Sequence, residues 1–88
     1  MKEKVAIVTG GAGGIGSAVC QAFAKEGVGV AIADIDAART AALADEITSG
    51  GGTALGVEVE ITSEESVIGA VARTVEHFGR LDFLVHCA

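Results

Sequence analysis

The stretch VAIVTGGAGGIG, residues 5–16, contains the features that decide the fold. Its first part, Val5 to Val8, is a short apolar run, which is typical of a strand buried on both faces. Its second part has five glycines between residues 10 and 16. Glycine weakens helices and strands because it loses the most backbone freedom on folding. The cluster therefore indicates a turn too tight for side chains, or a backbone that a ligand approaches closely.

The segment after the glycines has the apolar spacing of an amphipathic helix. We expect its apolar stripe to face the sheet, and Gly27 is suited to end it. The stripe comprises Ile15, Ala18, Val19, Ala22 and Phe23. Strand, glycine turn and helix thus follow one another in that order.

The rest of the chain repeats this alternation of strand and helix. Apolar or alternating runs predict three more strands, over residues 28–35, 53–59 and 81–88. Asp36 is suited to cap a helix that runs to about Ile47, and the glycines at 50–52 close it.

A third helix is predicted between the last two strands. Thr62 and Glu65 have the spacing of a Thr-x-x-Glu capping box at its start, and Gly79 ends it. Its expected buried stripe comprises Val67, Val71, Val75 and Phe78.

The resulting order, βαβαβαβ, predicts a parallel sheet with right-handed crossovers. The predicted fold class is α/β, a Rossmann-like doubly wound parallel sheet with strand order 3-2-1-4, truncated after the fourth strand. Two helices then cover one face of the sheet and the third covers the other, which stays half bare. The open edge of the fourth strand is a candidate surface for a homo-oligomer.

Composition narrows the classes of partner. The 88 residues are half apolar and have a formal net charge of −6. One domain fits this length, and its core is expected to be thin. Nucleic-acid binding requires many cations, and with six lysines and arginines no nucleic-acid partner is expected. The glycines interrupt the first apolar stretch, which argues against a signal peptide or membrane segment and favours a cytoplasmic location.

The two cysteines, Cys20 and Cys87, stand far apart in the sequence. No CxxC spacing or histidine cluster accompanies them, so neither a metal site nor a disulfide framework is predicted. Both are interpreted as buried, reduced thiols. As a nucleophile, Cys87 has no partner base nearby in the sequence.

Two phosphate-binding patterns fit the glycine cluster. GxGxxG is matched by Gly11, Gly13 and Gly16, and TGxxxGxG by Thr9, Gly10, Gly14 and Gly16. Both place a diphosphate at the N-terminus of the following helix, where unpaired N–H groups and the helix dipole favour an anion. An acidic protein holds an acidic ligand in this way because the favourable charge is local. A P-loop is excluded, since the lysine that it requires is absent.

Asp34 follows Gly16 by 18 residues, at the end of the second predicted strand. A carboxylate there accepts hydrogen bonds from the adenosine ribose and repels a 2′-phosphate, which favours NAD over NADP. An aspartate after a strand is also a common turn residue, although Asp36 suits that role better. Arg39, one helical turn further on, keeps NADP open as the less favoured cofactor.

These motifs resemble the short-chain dehydrogenase/reductase family, over essentially all 88 residues. The resemblance is carried by VAIVTGGAGGIG, VAIADID at 30–36, VEITSEESV at 59–67 and LDFLVHCA at 81–88. It implies that residues 1–88 form the NAD-binding Rossmann half-domain of an oxidoreductase that interconverts a secondary alcohol and a ketone.

The resemblance also implies ten cofactor-binding residues. They are Gly10, Gly14, Ile15 and Gly16 at the diphosphate, Asp34, Ile35, Glu60 and Ile61 at the adenosine, and Cys87 and Ala88 along the cofactor. At Glu60 the family usually has an aspartate. At His86 it usually has an asparagine, and two interpretations of the histidine stay open. It is either a proton carrier or, as favoured here, a buried strand histidine bonded to backbone.

The catalytic residues of the family are not matched. Its chemistry, hydride transfer between nicotinamide and an alcohol or carbonyl, uses a tyrosine, a lysine four residues later and a serine. The chain contains no tyrosine, so no catalytic residue is predicted within it, and the catalytic segment is expected beyond residue 88. The alternative is a non-enzymatic NAD-binding or interaction module.

Overall fold

The computed structural model describes residues 3–87, which form four strands and three helices in strict alternation. The elements are β1 (Val5–Thr9), α1 (Gly14–Lys25), β2 (Gly29–Asp34), α2 (Ala37–Ser49), β3 (Ala54–Glu58), α3 (Glu64–Phe78) and β4 (Phe83–His86). None of the helices within residues 3–87 has both the length and the apolar character needed to cross a membrane.

All strand pairs are parallel, and the sheet order is β3-β2-β1-β4. The register places Val8 of β1 between Ile32 of β2 and Val85 of β4. The predicted fold class and strand order are therefore confirmed. Neighbouring parallel strands need a crossover connection between them. Each helix here returns the chain to the end of the sheet at which the next strand begins.

Each face of the sheet has its own apolar layer. The layer under α1 and α2 is built on Val8, Val30 and Ile32, all fully buried. The layer under α3 is built on Ile7, Ala31 and Val57. Burial of each such valine or isoleucine contributes about 1.5–3 kcal/mol, so these central strand residues are the main source of stability.

The buried side of α1 differs from the predicted stripe. Ile15 is 77% exposed, and Ala18 and Ala22 also face solvent. Val19 and Phe23 of the predicted stripe do pack against the core, and Gly16 and Cys20 are buried beside them. The reason is a backbone contact, because Gly16 lies directly against Gly10 and this contact sets the rotation of the helix.

The start of α3 also differs from the prediction. Ser63 is the N-cap, and its Oγ accepts a hydrogen bond from the N–H of Ser66 at 3.2 Å. Thr62 is not the cap because its hydroxyl donates to Glu60 Oε1 at 2.9 Å. In the stripe, Val75 is 42% exposed, and fully buried Thr74 faces the core instead. Its hydroxyl tolerates burial because it donates to the carbonyl of Ala70 at 2.8 Å.

Other predicted boundaries are confirmed. Asp36 caps α2 by accepting from the N–H of Arg39 at 3.1 Å. Gly79 ends α3 with φ of 84°, a left-handed conformation that glycine adopts without strain. The fourth strand is shorter than predicted, although the N–H of Cys87 still donates to the carbonyl of Thr9 at 2.9 Å.

β4 is attached to β1 by a charged clamp at its start. The carboxylate of Asp82 accepts from the N–H of Val5 at 2.8 Å, and the N–H of Asp82 donates to the carbonyl of Val5 at 2.8 Å. Arg80 donates Nε and Nη2 to the same carboxylate at 2.9 and 2.7 Å. The aspartate of the LDFLV segment thus has a structural role at the end of the sheet away from the glycines.

Part of the α3 face is bare, as predicted. Helix α3 packs mainly over β1, β2 and β3, and Leu84 of β4 is 67% exposed on this face. Within residues 3–87, β4 pairs with β1 alone, so its other side is an open edge.

Candidate functional site

The glycine cluster forms the turn between β1 and α1. Gly10 has φ of 68°, and the N–H of Gly13 donates to the carbonyl of Gly10 at 3.2 Å. Gly13 is the N-cap of α1 and supplies no capping side chain. The chain thus reverses from strand to helix within four residues.

Two of the glycines are required by the protein itself. A Cβ on Gly11 would lie 2.8 Å from the carbonyl oxygen of Val8 and 2.9 Å from Cγ2 of Ile32. A Cβ on Gly16 would overlap the backbone of Gly10. These positions therefore bring helix and strand close together, whether or not a ligand is present.

Gly14 has a different environment. It is exposed, and a Cβ built there has no neighbouring atom within 4 Å. Among residues 3–87 the N–H groups of Gly14, Ile15 and Gly16 have no hydrogen-bond partner. The first turn of α1 therefore offers unpaired donors at the positive end of a 12-residue helix.

Asp34, at the end of β2, faces this turn. Its Oδ2 accepts from the N–H of Ala12 at 3.2 Å, and its Oδ1 accepts from the N–H of Asp36 at 3.2 Å. A carboxylate oxygen accepts two hydrogen bonds, so each oxygen retains one acceptor position. Asp34 therefore holds the glycine turn in place and still has capacity for a ligand hydroxyl.

A cleft of about 350 Å³ opens at the carboxyl ends of the strands. It is lined by Gly10, Gly13, Asp34, Ile35, Val59, Glu60, Ile61 and Cys87. Ile35 and Ile61 are 57% and 40% exposed, and Val59 is buried. Two exposed isoleucines beside a carboxylate are suited to an apolar ring that carries hydroxyl groups.

The side chain of Glu60 is partly engaged by its own loop. Oε1 of Glu60 accepts from the N–H and the hydroxyl of Thr62, at 3.3 and 2.9 Å. The N–H of Glu60 donates to Oγ of Ser66 at 2.8 Å. Glu60 thus shapes the loop that carries Ile61, with Oε2 left for another partner.

The two cysteines differ in exposure. Cys20 lies on the buried side of α1, and burial raises the pKa of its thiol to about 12. Cys87 is half-buried and lines the cleft, so its interpretation as a buried thiol is wrong. The reason is its position just after β4, where the cleft begins.

His86 is exposed, so its interpretation as a buried histidine bonded to backbone is wrong. Its Nδ1 lies 2.6 Å from Oγ1 of Thr9, a side chain that is 5% exposed. The partner is a side chain because residues 9 and 86 are opposite each other in the β1–β4 register. No local pattern in the sequence marks this contact, because the two residues are 77 positions apart.

The structure brings six of the ten predicted site residues to one cleft: Gly10, Asp34, Ile35, Glu60, Ile61 and Cys87. The unpaired helix start comprises three more: Gly14, Ile15 and Gly16. Ala88 lies outside the described residues. Sequence reasoning missed Val59 as a lining residue. Its signal was its position directly after β3, because the cleft lies at the carboxyl ends of the strands.

A larger cleft of about 540 Å³ lies between the C-terminal ends of α1 and α2. It is lined by Lys25, Glu46 and the glycines at 50–52, among others. Helix C-termini present carbonyl groups and the negative end of the dipole, which disfavours an anion. The smaller cleft therefore has the better chemistry for a phosphate ligand.

The comparisons with known proteins agree with this architecture. The family model for short chain dehydrogenase matches residues 4–88. The chain is 44% identical over 88 residues to the uncharacterized oxidoreductase YuxG of Bacillus subtilis (strain 168), covering 98% of this chain and 13% of that protein. It is 39% identical over 88 residues to (2S)-[(R)-hydroxy(phenyl)methyl]succinyl-CoA dehydrogenase subunit BbsD of Thauera aromatica, covering 100% of this chain and 36% of that protein.

A solved dehydrogenase/reductase from Sinorhizobium meliloti 1021 superimposes with a TM-score of 0.95 at 39% identity. The match covers 100% of this chain and 35% of that one. The chain therefore spans about a third or less of the length of these relatives. With the family model matched from residue 4 to residue 88, the chain belongs to the short-chain dehydrogenase family.

Proposed function

We propose that these 88 residues are the NAD-binding part of a short-chain oxidoreductase. The observation that carries the proposal is the unpaired first turn of α1 beside an open cleft with a carboxylate at its edge. Proteins of this family use nicotinamide dinucleotides. A ligand of this kind needs a site for a diphosphate and a site for a nucleoside next to it.

The diphosphate fits the start of α1. Three N–H groups, from Gly14 to Gly16, are unpaired at this end of the helix, and no protein atom lies within 4 Å of a Cβ built on Gly14. No acidic side chain lies in the first turn of the helix. The net charge of −6 does not prevent binding, because the local field at a helix N-terminus is positive.

The adenosine fits the cleft. The free acceptor positions of Asp34 would hold the ribose hydroxyls, and Ile35 and Ile61 would contact the faces or edge of the adenine. A 2′-phosphate next to Asp34 would meet a carboxylate, which favours NAD over NADP. Arg39 lies in a neighbouring groove with Ser17 and Gln21, and NADP stays the less favoured alternative.

In the proposed complete enzyme, NAD held by these residues would supply the hydride chemistry that interconverts a secondary alcohol and a ketone. The residues of this chain bind and orient the dinucleotide. No tyrosine is present to move the accompanying proton, so we expect no turnover from these 88 residues alone. A cytoplasmic location stays a prediction from the sequence.

A second candidate is a non-enzymatic module that binds NAD through the same site. The two candidates differ in the coding sequence that they require downstream of codon 88 in the gene. A downstream open reading frame containing Tyr-x-x-x-Lys supports the enzyme, and an immediate stop codon supports the module.

We also propose that the open edge of β4 mediates self-association. Its backbone groups are unpaired on one side within residues 3–87, and Leu84 is exposed beside them. An apolar edge strand of this kind pairs readily with a second copy.

The nucleotide site is tested by replacing Gly14 with alanine. A Cβ there meets no protein atom, but it adds a methyl group to the first turn of α1, where the diphosphate is proposed to bind. We expect Gly14→Ala to weaken binding of ADP-ribose by about tenfold, the loss of one or two good contacts, with no loss of stability. Isothermal titration calorimetry measures the affinity, and urea denaturation measures the stability.

Gly69→Ala is the matched control, because Gly69 lies in α3 and also has no atom within 4 Å of a built Cβ. It should leave the affinity unchanged. Equal affinity of wild type and Gly14→Ala, or no binding of ADP-ribose by the wild type, would refute the proposed site.

A further inference from the structure

His86 and Thr9 form a hydrogen bond that the proposed nucleotide site does not explain. Nδ1 of His86 lies 2.6 Å from Oγ1 of Thr9, and the hydroxyl of Thr9 donates to the carbonyl of Val85 at 3.4 Å. The threonine is 5% exposed, whereas the histidine faces solvent. One nitrogen of an exposed ring is thus fixed by a buried group.

One arrangement of the protons makes both contacts hydrogen bonds. A threonine hydroxyl has one proton, and in this arrangement it is donated to the carbonyl of Val85. Both contacts are hydrogen bonds only if Nδ1 of His86 carries a proton and donates it to Thr9. In this arrangement Nε2 is the nitrogen that gains or loses a proton, and the contact with Thr9 is kept in both forms.

The strand order places His86 next to the proposed diphosphate site. Across the sheet in the order β3, β2, β1 and β4, the carboxyl ends of the strands lead to the loop of Ile61, to Asp34, to the glycine turn and to His86. Cys87, its neighbour in the chain, already lines the cleft. A dinucleotide that extends from Asp34 across the glycine turn therefore reaches the end of β4.

We propose that His86 is a positioned proton-binding residue of this site, held by Thr9 through Nδ1–H, whose protonation at Nε2 strengthens binding of the anionic diphosphate. The proposal rests on the proposed function, since the anion is the diphosphate of the dinucleotide. It gives the site a side chain that carries a positive charge only when it is protonated.

The charged and titratable groups at this end of the sheet are acidic or neutral except for Arg39. They are Asp34 on β2, Asp36 and Arg39 at the start of α2, Glu60 after β3, Glu64 and Glu65 at the start of α3, and the Cys87 thiol. Within residues 3–87 none of them forms a hydrogen bond or ion pair with His86. A pH effect on binding that His86→Gln abolishes is therefore expected to come from this imidazole.

The experiment measures ADP-ribose affinity by calorimetry between pH 5.5 and 8. ADP-ribose is suitable because each of its two phosphates has one ester bond and one anhydride bond, so neither has a proton that titrates in this range. We expect the wild type to bind about three- to tenfold more tightly at pH 5.5 than at pH 8, as expected for one cation near a diphosphate. His86→Gln should bind with equal affinity at both values. The control is His77→Gln, which removes the other histidine, exposed on α3, and should keep the wild-type pH dependence.

A second measurement needs no ligand. Imidazole ¹⁵N chemical shifts of the neutral protein should show His86 as the Nδ1–H tautomer, and Thr9→Val should abolish that preference. An Nε2–H tautomer in the wild type, or ADP-ribose binding that is independent of pH, would overturn this proposal and leave the nucleotide site intact. Absence of ADP-ribose binding at every pH would overturn the proposed function, and this proposal with it.

Discussion

Single residues in the glycine turn have separable roles. Gly11 and Gly16 are small because the protein packs against them, whereas Gly14 is small with nothing beside it. A motif alone does not make this distinction, since all of these positions read as glycine. The structure distinguishes them, because the open space at Gly14 lies at a helix start with unpaired N–H groups and leaves room for a ligand.

At this scale we predict that Gly16→Ala destabilises the fold. A methyl group would overlap the backbone of Gly10, so α1 would have to move away from β1, at a cost of about 1–3 kcal/mol or more. Urea denaturation of Gly16→Ala beside Gly14→Ala measures the difference. Equal stability of the two variants would contradict the packing role assigned to Gly16.

Asp34 gives a second prediction, on cofactor preference. Asp34→Asn removes the negative charge and keeps one carbonyl oxygen for the N–H of Ala12. We expect the ratio of the NADP to the NAD dissociation constant to decrease, because the repulsion of the 2′-phosphate is lost. Stability should fall by about 1 kcal/mol, since the N–H of Asp36 loses its acceptor. An unchanged ratio would remove Asp34 from the selection of cofactor.

At the scale of elements, the pairing of β4 with β1 depends on the clamp at Asp82. Hydrogen bonding by Arg80 and by the N–H of Val5 keeps the pKa of Asp82 below its usual value. A lowered pKa means that the ionised form is favoured in the folded state. The stabilisation is therefore present above the pKa of the unfolded chain and is lost as the pH falls through the folded pKa.

We predict that wild-type stability declines as the pH is lowered below about 4, the usual pKa of an aspartate, and that Asp82→Asn shows less of this decline. Urea denaturation at several pH values measures both. Asp45→Asn, at an exposed position on α2, is the control and should follow the wild type. Parallel pH profiles for Asp82→Asn and wild type would show that the clamp does not contribute.

Much of the element scale was predictable from the sequence. Strand and helix order followed from the glycine turns at residues 27, 50–52 and 79, and from buried strands such as that over residues 28–35. The rotation of α1 was not predictable from periodicity, because the contact of Gly16 with Gly10 sets it. The cap of α3 was misassigned because Glu60 engages Thr62 first.

The site was predictable only in part. Positions after strands 1, 2 and 3 are fixed by topology, so the glycine turn, Asp34 and Ile61 meet at one end of the sheet. The double role of Asp34, and the bond between Thr9 and His86, depend on distances between side chains far apart in the chain. No local pattern encodes such distances.

For the whole molecule, the bare edge predicts association that depends on concentration. We expect sedimentation velocity to show dimers or larger species as the concentration rises, and Leu84→Lys to reduce them, because a charge on an edge strand opposes pairing. Ile15→Lys is the matched control, an exposed side chain in α1 with the same change of charge. A monomer at every concentration, or equal effects of the two variants, would contradict an association edge.

The carboxylate of Asp34 has two roles that a designer would wish to alter independently. It lines the cleft, and it holds the glycine turn through the N–H of Ala12. Because it accepts from Ala12 inside the turn, an exchange of this residue for a cationic one would also remove a fixed point of the loop. Engineering toward a phosphorylated cofactor at this position is therefore expected to require a compensating substitution near Ala12. Libraries that vary both positions together should yield folded variants more often than libraries that vary Asp34 alone.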